Sequence, residues 1–124
     1  MPVPIHTLNL GIVQSAANII FMAGENRSAT PNSHFLFHQT KYSPNTGGNY
    51  SPADLSFNSA SVKLDDSRTA EIMAQRTNKP LTEVKRWFVG QKLRTTDFAL
   101  ANGIIQNIEH LRMPMGSEFF QITL

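Results

Sequence analysis

Gly11-Ile12-Val13-Gln14-Ser15-Ala16-Ala17 is the stretch on which the fold turns. An apolar run from Ile5 to Leu10 leads into it, and a small or apolar segment from Ala16 to Ala23 follows it. Glycine ends a strand, and serine at the start of a helix meets unpaired backbone N–H groups and the positive end of the helix dipole. Such a junction suits a nucleophile whose reaction generates an oxyanion. It equally suits a serine that does nothing but cap a helix.

Outward from that turn, the chain alternates strands and helices. Val3 to Leu10 reads as a strand covered on both faces, with Pro2 and Pro4 confined to its start. Ser15 to Ala23 has one polar interior residue, Asn18, and reads as a buried helix closed by Gly24. Arg27 to Thr30 is a candidate short strand, and His34 to Gln39 is a strand bounded by turns. Lys41 to Ser51 has turn formers and nothing to bury. Pro52 to Thr77 reads as one long helix with a narrow stripe through Leu55, Ser59, Val62, Asp66, Thr69 and Met73, suited to projecting or to lying in an interface. Pro80 opens a second helix with Leu81, Val84, Trp87 and Phe88 on one face, and Gly90 closes it. Thr95 or Thr96 caps a helix over Asp97 to Asn102, and Ile104 to Ile108 reads as a strand. The ending Phe119 to Leu124 favours a strand or an extended docking arm. Repeats and low-complexity tracts are absent apart from the Gly/Asn loop. The class is α/β.

Bulk properties narrow the function. The 124 residues make one small domain or part of one, 40% apolar, with 11 basic against 9 acidic side chains. Basic residues do not cluster with aromatics, which argues against nucleic acid as a partner. Without cysteine there are no disulfides or thiolate metal sites, which fits a cytoplasmic protein. The start, Met-Pro-Val-Pro-Ile-His, does not read as a signal peptide, and no apolar run approaches the roughly 18 residues of a membrane span.

Ser15 and His38 both fall at carboxyl ends of expected strands, where α/β folds place reactive groups. A Ser–His contact is therefore geometrically open, and triad logic needs that contact plus a group orienting the imidazole. A capping serine and a structural histidine remain the alternative. His6, His34 and His110 are weaker candidates. His34 lies four residues before His38, about 13 Å along a strand, too far to share one metal ion. Gly47-Gly48 lacks the strand-to-helix context of a phosphate loop. Neither a metal nor a cofactor site is expected.

In this order, Gly11-x-x-x-Ser15-Ala16-Ala17, Ala23-Gly24, Arg27-x-Ala29-x-Pro31-Asn32-Ser33 and Phe37-His38-Gln39 resemble the proteolytic subunit of the ATP-dependent Clp protease. The similarity continues through the long helix, Thr77 to Val84 and Asp97 to Ile108, covering about residues 4 to 108. The resemblance implies a ClpP/crotonase-like spiral of β-β-α units with a long handle-type helix. It implies Ser15 as nucleophile, His38 as general base and the N–H of Ala16 as an oxyanion donor. It further implies seven-membered rings stacked in pairs, an unfoldase ATPase as partner, peptide substrates and no bound nucleotide. A crotonase-like acyl-CoA enzyme would share the fold, but the nucleophile turn and the His-Gln strand end argue against it.

Three departures from the family pattern shape the expectation. The family's earlier units, with a Gly-Gly turn supplying a second oxyanion N–H, have no counterpart here, and losing such a donor costs about 100- to 1000-fold in turnover. The position of the family's triad Asp falls at Gln91, with Asp97 the nearest acid in sequence. An acid-to-amide change there costs about 10⁴-fold in the serine-protease triad. The residues after Ile108 extend past the resemblance and suggest packing or oligomer contacts. The expectation is a single partial domain, incomplete at its N-terminus: 1–39 for the nucleophile turn and histidine strand, 52–90 for the handle and the helix after it, 91–108 for the terminal helix and strand, and 109–124 as extra tail. Alone, such a chain should expose apolar strand faces and be oligomeric or poorly soluble. Its function would be that of a serine endopeptidase subunit or, alternatively, of an inactive assembly subunit.

Overall fold

The computed structural model describes residues 3–111 and 115–116. The strand or arm expected over 119–124 lies outside them. The elements run β1 (His6–Asn9), β2 (Ile12–Gln14), α1 (Ala17–Met22), β3 (Asn26–Ala29), β4 (His34–Phe37), α2 (Pro52–Thr77), α3 (Leu81–Trp87), β5 (Lys92–Thr95), α4 (Thr96–Ala101) and β6 (Asn107–Ile108).

Two three-stranded sheets form, ordered β1-β3-β6 and β2-β4-β5. β1 pairs with β3 in parallel, His6 opposite Asn26, and β2 pairs with β4 in parallel, Ile12 opposite His34. The chain thus runs twice through a strand, strand, helix order, each strand of the second passage lying beside its counterpart from the first. β5 returns antiparallel along β4, placing Phe37 opposite Lys92 and His34 opposite Thr95.

Gly11 does not separate a strand from a helix, as the sequence suggested. It separates two strands that enter different sheets. Asn9 fixes this crossing: buried, it donates from Nδ2 to the His34 carbonyl (2.8 Å), and its Oδ1 accepts the Gly11 N–H (3.0 Å). The strand expected over Val3 to Leu10 is shorter and barely covered; Leu10 is 60% exposed. β1 and β2 are each the outermost strand of a sheet, so their apolar side chains lack a neighbour on one side.

The core gathers Phe21 and Met22 of α1, Phe35 and Phe37 of β4, Met73 of α2, Val84 and Trp87 of α3, and Ile104 and Ile105. Phe21 meets Phe35 edge-on at 5.3 Å between ring centroids, a favoured aromatic geometry. The helix expected to be buried all round, α1, is buried on one side only, with Ile20 74% exposed. The strand expected over Ile104 to Ile108 is only Asn107–Ile108, because Ile104 and Ile105 turn into the core instead.

α2 begins on a capping box: Ser51 Oγ accepts the Asp54 N–H (3.2 Å), and Asp54 Oδ2 accepts the Ser51 N–H (2.8 Å). Only Ala70, Met73 and Thr77 of its 26 residues are buried, so the first half stands clear of the core. α4 is capped by Thr95, whose Oγ1 accepts the Phe98 N–H (3.2 Å). Gly103, at φ 74°, packs so close that a Cβ would lie 3.0 Å from the Thr77 carbonyl oxygen.

Buried Arg27 ties these pieces together. Its guanidinium donates to the carbonyls of Ile104 (2.8 Å), Gly24 (2.8 Å), Gly103 (3.2 Å) and Arg76 (3.3 Å). Arg76 adds bonds to the carbonyls of Met22 (2.8 Å) and Gly24 (2.6 Å). These carbonyls lie at or just beyond the C-termini of α1, α2 and α4, where the backbone leaves acceptors unpaired. Burial first, and the Arg76 charge second, lower the Arg27 pKa.

Candidate active site

The Ser15 turn is built from both sides. Ser15 follows β2 directly and adopts φ 54°, a left-handed conformation that is uncommon for a residue with a side chain. Its N–H donates to the Leu36 carbonyl (3.3 Å), anchoring it to β4. Buried Asn18 donates from Nδ2 to both the Ser15 carbonyl (3.1 Å) and the Leu36 carbonyl (2.9 Å). Asn18, the one polar residue in an otherwise apolar helix segment, thus holds the turn against β4. Its isolation was the sequence signal that marked it, though not what it does.

This geometry overturns the capping explanation of Ser15. The N-cap of α1 is Ala16, and no side chain caps it. The Ser15 hydroxyl turns to His38, with Oγ hydrogen-bonded to Nε2. A strained residue between strand and helix, its hydroxyl exposed, is the geometry of a nucleophile elbow. The Ala16 N–H has no intramolecular acceptor among the described residues.

His38 immediately follows β4, and its Nδ1 lies 2.7 Å from the Gln39 carbonyl oxygen. A carbonyl only accepts, so Nδ1 carries the proton. Nε2 is then left to accept the Ser15 hydroxyl hydrogen, the tautomer a general base requires.

The other sequence candidates fall elsewhere. Gln91 lies where the β4–β5 register would continue opposite His38, but it is exposed, at φ 48°, and makes no hydrogen bond to the ring. Asp97 follows Thr95, which pairs with His34 at the opposite end of β4, so no local shift brings it to His38. His6, His34 and His110 are exposed, and none of them hydrogen-bonds to Ser15. The Gly48 N–H is taken by the Asn45 carbonyl (3.1 Å). Among the described residues, no three His, Asp or Glu side chains form a metal-binding group.

Ser15, Ala16 and His38 open onto a cleft of about 610 Å³. Ile19, Ile20, Ile72 and Phe88 supply apolar lining, and Lys41, Asp65, Asp66 and Arg68 supply charge. A cleft of this size, mostly apolar with a few converging polar groups, is typical of ligand sites. Asp66 was seen in the sequence only as a member of the α2 stripe. Here its Oδ1 accepts the Thr40 N–H (2.6 Å).

The sequence model of the Clp protease family matches residues 1–112. The chain belongs to the Clp protease family. A relative from Paracoccus denitrificans named ATP-dependent Clp protease proteolytic subunit is 28% identical over 116 residues, covering 87% of this chain and 55% of the relative. The ATP-dependent Clp protease proteolytic subunit 4 of Streptomyces avermitilis is 30% identical over 106 residues, covering 84% and 46%. A Treponema denticola proteolytic subunit 2 is 50% identical over 38 residues, covering 29% and 19%. The chain thus spans about half the length of the first two curated relatives. No helix among the described residues is long and apolar enough to cross a membrane.

Proposed function

We propose that this chain is a Clp-type serine endopeptidase subunit, cleaving peptides or unfolded polypeptides through Ser15 and His38. The observation that carries this reading is the hydrogen bond from the strained, exposed Ser15 to His38 Nε2. Ser15 Oγ attacks the scissile carbonyl while His38 Nε2 takes its proton. The Ala16 N–H meets the oxyanion, and His38 returns the proton to the departing amine. Water, deprotonated by His38, then hydrolyses the acyl-enzyme. The stacked strands support a spiral of β-β-α units, and the projecting α2 supports a handle, with the segments 1–39, 52–90, 91–108 and 109–124 as parts of one domain. The relatives' names support an ATPase partner, and family membership supports oligomeric rings and a cytoplasmic location.

A fluorophosphonate probe tests the reading. Mass spectrometry should find the adduct on Ser15, and Ser15→Ala should abolish it. His38→Ala should slow labelling about 100-fold or more, the usual scale of general-base help. An unlabelled Ser15 in folded protein, beside a serine peptidase that does react, overturns it.

A second reading is a Clp-like assembly subunit without hydrolysis. It draws on exposed apolar side chains along the free half of α2, Leu55, Phe57 and Leu64, with Phe57 73% exposed. Met73 does not belong to that surface, because it is buried in the core. Leu55→Glu with Phe57→Glu and Leu64→Glu should reduce the size of the oligomer in sedimentation. An unchanged size removes this stripe as an interface.

A further inference from the structure

We propose that Asp66 is the acid of this site, acting on His38 through a single peptide group. The proposal rests on the reading of Ser15 and His38 as a reactive pair. Gln39 and Thr40 share one planar amide. Its carbonyl oxygen accepts the His38 Nδ1 proton at 2.7 Å, and its N–H donates to Asp66 Oδ1 at 2.6 Å. The chain of contacts runs from Ser15 to His38, through the Gln39–Thr40 amide, to the carboxylate on α2.

A carboxylate on the N–H of an amide draws electron density toward its carbonyl oxygen, so the two hydrogen bonds strengthen each other. The carbonyl fixes the His38 tautomer. The carboxylate adds the negative charge that favours the imidazolium formed when Nε2 takes the Ser15 proton. Asp66 is free to act in this way. Its neighbour Asp65 pairs with Arg68 at 3.9 Å, and Asp66 joins no ion pair among the described residues. Gln91 and Asp97, where the sequence pointed, offer the ring nothing. Asp66 touches neither substrate nor reacting atoms, and is a positioning residue.

The amide makes this acid less critical than one bonded directly to the imidazole, whose conversion to amide costs about 10⁴-fold through the wrong tautomer. Here the backbone keeps the tautomer. Asp66→Asn retains an acceptor for the Thr40 N–H and removes the charge. Asp66→Ala removes both.

The test pairs fluorophosphonate labelling of Ser15 with ¹⁵N NMR of the His38 ring, with Asp97→Asn as the control for loss of a remote negative charge. Labelling should slow about 3- to 10-fold in Asp66→Asn and about 10- to 100-fold in Asp66→Ala, the difference between a charged, a neutral and a missing hydrogen bond. The ring should keep its Nδ1–H form in Asp66→Asn and become a tautomer mixture in Asp66→Ala, while Asp97→Asn changes neither readout. Wild-type labelling and ring signals in both Asp66 variants overturn the relay. If Ser15 of the wild type is inert but the ring still responds in Asp66→Ala, the relay stands and the peptidase reading fails. Should Asp66→Ala not fold, the rate and ring signals of Asp66→Asn decide alone: a slowed rate supports the relay, and wild-type behaviour overturns it.

Discussion

The two strand-strand-helix passages have the same order and differ sharply in their surroundings. In the first, β1, β2 and the link between them carry Leu8, Leu10 and Ile12 into solvent. In the second, Ala29, Phe35 and Phe37 are completely buried. Val13 and Phe35 are direct partners across β2 and β4, yet Val13 is only half-buried. Apolar strand residues thus reach opposite fates: β3 and β4 lie between neighbours, whereas β1 and β2 form the outer edges. Burial follows position in the sheet rather than the apolarity of the strand. The hydrogen-bonded pair lies where the passages meet, with Ser15 from the first and His38 from the second.

The largest expected effect lies in the second passage. Phe35→Ala should cost about 3–5 kcal/mol, enough to lower the thermal midpoint by about 10 °C or more, because it empties the centre of the core. Val13→Ala, on the facing strand, should cost about 1 kcal/mol if edge position governs. Equal losses in the two melts would mean that the edge strand is as well covered as the central one.

Next comes the clamp that holds the helix ends. Arg27→Met should cost about 3 kcal/mol in urea unfolding, since it leaves buried carbonyls at Ile104 and Gly103 without their donor. A neutral result would mean that water reaches those oxygens. Gly24→Ala should cost about 1–2 kcal/mol. A Cβ there would land on Thr7 Oγ1 and lie 3.0 Å from its Cγ2, and Thr7 already donates to the Phe21 carbonyl at 2.9 Å. Full stability would show that Thr7 can yield at the seam between the passages.

Smaller effects belong to the free half of α2. The Ser51 hydroxyl first, and the Ser51 N–H second, hold the Asp54 carboxyl below its ordinary pKa. A depressed folded-state pKa contributes stability above the unfolded value and loses it as pH falls through the folded one. Amide exchange in the first turn of α2 should therefore accelerate on acidification below the normal Asp range, while the turn around Met73 is unaffected. Fraying independent of pH would remove the cap's role. The smallest change in fold stability is expected for Leu10→Ser, within about 0.5 kcal/mol, as for most exposed sites. Its readout is sedimentation, where reduced self-association is expected; an unchanged distribution would mean that the apolar edge is not sticky.

Much of this was legible in the sequence. Punctuation located α2, α3 and α4: Pro52 after Ser51, Pro80, Gly90, and Thr95 before Asp97 all did what their chemistry suggests. Ser15 and His38 stood out because strand ends before helices and loops are where α/β folds expose reactive groups. Less visible were β2 and β5. Three residues, Ile12–Gln14, are too few to show a period, and Lys92–Thr95 is polar enough to pass for a loop. The left-handed turn at Ser15 was invisible because serine has no intrinsic preference for it; Asn18 and β4 impose it.

The sequence by itself determined the alternation of elements, the family signature and the two candidate side chains, because each depends on residues near one another along the chain. Only the tertiary structure decided which apolar strands are covered and what stands behind His38. Asp66 is 26 residues from Thr40 and belongs to another element. No spacing rule links them, and the contact exists only because α2 passes beside the exit of β4, where one backbone amide can bond to both a histidine and a carboxylate.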